Sequence, residues 1–165
     1  LGFAQKVASG GIDNALREYH REDLIGKSSE VVWTELLHEF TNYGASVEDN
    51  MAADALSQAM ENLEIEDIAD IGNVSVDILL KEMLKEYIKE NFDFRYEEKI
   101  SKGKTPAQTS AILNDMHEYI ENSIDGDLNL DNLRTVDFSN MGTAQVVEDA
   151  LRDALSVFEK YYGED

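Results

Sequence analysis

Pro106 is the only proline in a chain of 165 residues, and it stands where a helix can begin. The run Thr105–Pro106–Ala107–Gln108 supplies a capping hydroxyl, then proline at the first helical position, then a Gln able to reach back to the cap. Elsewhere the chain is free of the residue that most strongly breaks helices. Alternating runs rich in Val, Ile and Thr are also absent, which removes the usual signature of strands. The pattern therefore predicts an all-α fold, a compact bundle of roughly six helices joined by the short connections of antiparallel neighbours.

Read in order, Ile12 to His20 forms a short helix with Ala15, Leu16 and Tyr19 inward. "DLIGKSS" turns the chain, with Gly26 free to take a positive φ and Ser28 placed as an N-cap. A helix from about Ser29 to Asn42 buries Val32, Trp33, Leu36, Leu37 and Phe40, and Gly44 ends it. Ser46 and Asp49 have capping-box spacing ahead of a helix whose apolar stripe is Ala53, Leu56, Met60 and Leu63. "IEDIADIGN" reads as a short helix or turn. A long helix follows from Val74, carrying Ile78, Leu80, Met83, Leu84, Tyr87 and Ile88 and stopping at Gly103. The proline-initiated helix carries Ile112, Leu113, Met116, Tyr119 and Ile120 and ends before Gly126. The linker "DGDLNLDNLRTVDFSNMG" leads to a last helix capped by Thr143, lined by Val146, Val147, Ala150, Leu151, Ala154, Leu155 and Phe158, and closed by Gly163.

Charge narrows the function classes. Lys and Arg number 14 against 35 Asp and Glu, a formal net charge of −21. Duplex DNA and anionic lipid both demand a cationic footprint, so direct binding to nucleic acid or membrane is not expected. Between Lys27 and Lys81 there is neither Lys nor Arg. Half of the bases gather later, as Lys81, Lys85, Lys89, Arg95, Lys99, Lys102 and Lys104, interleaved with Glu82, Glu86, Glu90, Glu97 and Glu98. That is a mixed-charge face, not a nucleic-acid stripe. The acidity reads first as a self-repelling helical surface. It also leaves open an acidic face for a basic partner, or a mimic of the DNA backbone. With no Cys there is no disulfide, thiolate nucleophile or Cys-ligated metal, which suits a cytoplasmic protein. No apolar run approaches the roughly 20 residues of a membrane span.

The candidate chemistry is thin. His20, His38 and His117 fall on separate helices. His117 and Glu121 share an i, i+4 face that can offer two metal ligands, but no matching Glu-x-x-His completes a bundle-core site. His38–Glu39 lacks the second His of a zinc protease. Asp125, Asp127, Asn129 and Asp131 occupy the first alternate positions of a calcium loop, yet Leu130 replaces the turn glycine and Val136 the closing Glu. Acidic linker is the better reading. With no phosphate cradle and no nucleophile elbow, the residues predict no enzyme, cofactor or metal site.

One stretch offers an interaction surface. In "NFDFRYEEKISKGK" a continued helix places Phe92 and Tyr96 on one face and Phe94 nearly opposite. Such a helix is either sandwiched in the bundle or partly committed to a partner, so Phe92, Phe94 and Tyr96 are the candidate partner-binding residues.

The segment "IDNALREYHREDLIGKSSEVVWTELLHEF" and the closing "AQVVEDALRDALSVFEKYY" resemble the QatB proteins of Qat antiphage defence systems. The shared features are a short helix, a turn at Glu22–Asp23–Leu24–Ile25–Gly26, and an amphipathic helix, with Val146, Val147, Ala150, Leu151, Ala154, Phe158 and Glu159 matching the closing helix. The middle third matches in helical character. The resemblance implies a non-enzymatic component of a defence operon that also encodes an ATPase, a QueC-like enzyme (QatC) and a TatD-like nuclease, with the QueC-like enzyme as its partner. It carries over no catalytic residues.

The family resemblance also implies a low-complexity Gly/Ser-rich head and a basic segment, neither of which stands in this sequence. "LGFAQKVASGG" begins with helical spacing but no capping residue ahead of Leu1 and no initiating Met. The expectation is that residues 1–165 are a single helical domain, the C-terminal core of a longer protein. On that expectation the absent head enters the QueC-like enzyme as a protein substrate.

Overall fold

A computed structural model of the chain describes residues 6–7, 9–40, 46–74, 76–127 and 144–163. Among them lie six α-helices: α1 (Ile12–Glu18), α2 (Ser29–Phe40), α3 (Val47–Asn62), α4 (Val76–Ser101), α5 (Pro106–Asp127) and α6 (Gln145–Tyr162). Two 3-10 segments, Glu22–Leu24 and Ile68–Asn73, complete the elements, and no strand occurs among the described residues. The fold is all-α, as the residue pattern predicts.

The helix boundaries follow their local chemistry. The turn before α2 holds Gly26 at φ 81°, and the Val31 amide donates to Ser28 Oγ at 3.4 Å. At α3 the capping box is complete: the Asp49 amide donates to Ser46 Oγ at 3.0 Å, and the Ser46 amide donates to Asp49 Oδ2 at 3.2 Å. The same reciprocity opens α5, where the Gln108 amide donates to Thr105 Oγ1 at 3.2 Å and the Thr105 amide to Gln108 Oε1 at 3.0 Å. Gly103, at φ 73°, ends the turn after α4. Ser46→Ala removes one side of a box that no neighbouring group replaces. It is expected to cost about 1 kcal/mol, read as a lower midpoint in thermal denaturation.

Four sequence expectations need correction. On α3 the buried residues are Met51, Ala55, Ala59 and Met60, while Ala53, Leu56 and Leu63 are half-buried. This helix is apolar on several sides, and the side bearing two fully buried alanines allows the closest approach of neighbouring backbones. On α4 Leu79 and Leu80 are buried and Ile78 is 50% exposed, since three consecutive helical residues cannot all face one core. Gly126 does not stop α5, whose last turn is anchored by buried Ile124 and by an Asp125–Lys85 ion pair. The N-cap of α6 is Ala144, without a side-chain capping bond. Thr143 lies outside the described residues.

Two compact units divide the chain, Leu1–Met83 and Leu84–Asp165, with the division falling inside α4. The first has a core drawn from Leu16 of α1, Val32 and Leu36 of α2, Ala55 and Ala59 of α3, and Ile68 and Ile71 of the second 3-10 segment. The second is a three-helix arrangement. Tyr87, Ile88, Phe92 and Ile100 of α4 are buried with Met116, Ile120 and Ile124 of α5 and Val147, Leu151 and Phe158 of α6. No helix among the described residues is long and apolar enough to cross a membrane.

Candidate partner-binding surfaces

The aromatic stretch of α4 divides as its helical spacing predicts. Phe92 is fully buried, and its ring centroid lies 5.2 Å from that of half-buried Tyr96 at an interplanar angle of 60°. Phe94 is 66% exposed. Phe92 therefore belongs to the core of the second unit, and Phe94 is the most exposed of the trio.

Four bases of α4, Lys85, Lys89, Arg95 and Lys99, turn onto acids of neighbouring helices. Lys85 Nζ lies 2.7 Å from Asp125 Oδ1, and Lys89 Nζ lies 2.7 Å from both Glu121 Oε1 and Glu86 Oε1. His117 Nε2 lies 2.7 Å from Asp93 Oδ1. These contacts step one turn up α4 and one turn down α5, forming an antiparallel ladder. Arg95 makes a bidentate contact with Glu148 of α6 at 2.9 and 3.3 Å, and Lys99 pairs with Glu159. Burial alone would push the Lys89 ammonium down. The carboxylates of Glu121 and Glu86 more than reverse this and hold its pKa above the ordinary lysine value, so it stays charged. The Tyr162 hydroxyl donates to Asp115 Oδ2 at 2.7 Å, which raises the phenol above its ordinary value.

The ladder also engages the His117–Glu121 pair. His117 turns to Asp93 and Glu121 to Lys89, so the i, i+4 pair is divided between two partners. His38 is exposed on α2, and His20 holds a left-handed φ of 58° after α1. Of the calcium-loop candidates, Asp125 is exposed and paired with Lys85, and Asp127 ends α5. Asn129, Leu130, Asp131 and Val136 lie outside the described residues. No group of three or more potential metal ligands occurs among the described residues.

The first unit holds a feature that the residue pattern alone does not expose. An open cleft of about 810 Å³ is lined by Trp33 of α2, Ser57 and Met60 of α3, and Ile65 and Ile68 beyond it. Glu61, Glu64 and Glu66 stand on its rim, all exposed. The turn that shapes it closes α3 in a Schellman arrangement, with the Ile65 amide donating to the Met60 carbonyl at 2.9 Å and the Glu64 amide to the Glu61 carbonyl at 3.0 Å. Glu64 occupies the left-handed position at φ 57°, where glycine is the usual residue. None of the three rim carboxylates makes an ion pair or side-chain hydrogen bond among the described residues. The rim sits inside the stretch between Lys27 and Lys81 that contains no base. Trp33 and Met60 read as core residues from their spacing. The long base-free interval is the one sequence signal that marked this region.

Comparison with known families decides the relationship. A model of the family described as "QatB: Qat anti-phage system associated protein QatB" matches residues 1–158. The chain belongs to the QatB family. The match spans both compact units, the middle third included, and so extends the likeness well past the two terminal segments that carry it in the sequence. No curated protein and no solved structure matches the chain. Membership places the chain among the associated proteins of Qat antiphage systems, whose operation implies partner proteins.

Proposed function

We propose that this chain is a non-catalytic, cytoplasmic component of a Qat antiphage complex. It binds the QueC-like enzyme of the operon and presents to it an N-terminal tail preceding Leu1. The family match over residues 1–158 is the observation that carries this reading. Two features support it. Phe94 is an exposed aromatic on the face of α4 nearly opposite buried Phe92 and half-buried Tyr96. The first unit carries an open cleft with unpaired carboxylates on its rim. Residues 1–165 in this reading carry the tail to its partner, and the ATPase and the TatD-like nuclease are the further partners of the same assembly.

Co-expression of the full-length protein with the QueC-like enzyme tests the proposal. A complex that survives high salt on gel filtration is expected, together with an N-terminus whose mass changes only when the enzyme is present. An unchanged N-terminus in both preparations overturns tail presentation, and no complex at any salt overturns the pairing. A complex that dissolves as salt rises instead favours a DNA-mimic that occupies a basic nucleic-acid-binding protein.

A further inference from the structure

We infer that the cleft between α2 and the end of α3 binds a segment of a partner protein in which an apolar side chain is flanked by arginine or lysine. The inference rests on the partner-binding reading and names the surface and the chemistry that would serve it. Three independent properties of the cleft converge on such a segment. Its floor is apolar, built from Met60, Ile65, Ile68 and the half-buried indole of Trp33. Its rim is anionic, and Glu61, Glu64 and Glu66 have no cation to answer them among the described residues. Its volume, about 810 Å³, falls within the roughly 300–1,000 Å³ of sites that take a ligand of several side chains. An apolar side chain seated on the floor leaves flanking cations at the carboxylates, and the indole face adds a cation–π surface.

Charge selects among occupants. A second copy of this chain carries a net charge of −21, and Lys85, Lys89, Arg95 and Lys99 are already paired within its own second unit. Copies therefore repel each other and have few cations to lend. Nucleic acid meets the same repulsion. A cationic, partly apolar stretch of another protein is the occupant that the rim attracts and the floor desolvates.

Trp33 is the only tryptophan of the chain, so its fluorescence reports the cleft directly. The probe is a short synthetic peptide alternating arginine with leucine, titrated into the full chain. Saturable binding with a shift in Trp33 emission is expected. The triple variant Glu61→Gln, Glu64→Gln, Glu66→Gln is expected to bind about tenfold more weakly. A control variant in the second unit, Glu97→Gln, Glu98→Gln, Glu118→Gln, removes as many exposed charges and is expected to bind as the unaltered chain does. The inference is overturned if Trp33 emission does not move at saturation, or if both triple variants lose affinity equally, which would mark a general acidic field. It is also overturned if a peptide with glycine for leucine binds as tightly, or if free arginine amide alone saturates the signal. Matching circular dichroism of the three proteins confirms that each is folded. The groove and the partner reading fail separately: a complex with the QueC-like enzyme that forms unchanged with the rim variant removes the cleft from that docking and leaves the pairing intact.

Discussion

Replacing Phe92 by alanine is expected to destabilise the second unit by about 3–5 kcal/mol, whereas Phe94→Ala stays within about 0.5 kcal/mol of the unaltered protein. The two residues are of one type and stand two positions apart on one helix, and their environments are opposite. Phe92 has no exposed surface and packs its ring against Tyr96, so truncation leaves a void that close-packed neighbours fill only in part. Phe94 is 66% exposed and loses little by truncation. Urea denaturation followed by circular dichroism separates them, and equal midpoints would remove Phe92 from the core. The same pair sorts stability from docking. A defect of Phe94→Ala in complex formation, with unchanged folding, belongs to the interface.

The second large effect has the opposite sign. Asn91 is 1% exposed, and its Nδ2 has no hydrogen-bond partner among the described residues. A buried donor without an acceptor forfeits its hydration and gains nothing in return, a penalty of about 1–3 kcal/mol. Asn91→Leu keeps the same branched skeleton of side-chain heavy atoms and removes the amide, so it is expected to raise stability by about 1–2 kcal/mol. Asn91→Asp, which places a charge at the same point, is expected to lower it. A leucine variant that melts earlier than the parent would show that the amide contributes more to the core than its geometry accounts for.

Local chemistry was legible in the sequence, and the choice of face was less so. Ser46 with Asp49, Thr105 with Gln108, and Gly26 and Gly103 are short-range signals, and each sits in the structure where its residues predict. Where a helix is apolar on several sides, periodicity does not decide which side goes in. Leu79 displaces Ile78, and Met51, Ala55 and Ala59 displace Ala53 and Leu56, because neighbours distant in sequence select among equivalent stripes. The burial of Lys85 and Asn91 had no local mark either. Lys85 lies buried against the other helix, where exposed Asp125 meets its ammonium, a pairing that becomes visible only when α4 and α5 lie side by side. The cleft is the clearest case. Trp33 and Ile65 come from segments far apart in the chain, and Glu64 takes a left-handed turn that a glutamate does not announce.

The antiparallel ladder between α4 and α5 has a consequence for how that hairpin finds its alignment. Its groups are ordered along the two helices as cation, cation, anion on α4 against anion, anion, imidazole on α5. Slip one helix by a turn in one direction and Asp93 is brought against Glu121; slip it in the other and Lys89 loses its Glu121 carboxylate and Asp93 its His117 imidazole. Apolar ridges tolerate such a slip, since one leucine-sized knob resembles the next, but the charges do not. The charges between these two helices thus favour the observed alignment over its neighbours, a selection that the apolar contacts between them do not supply.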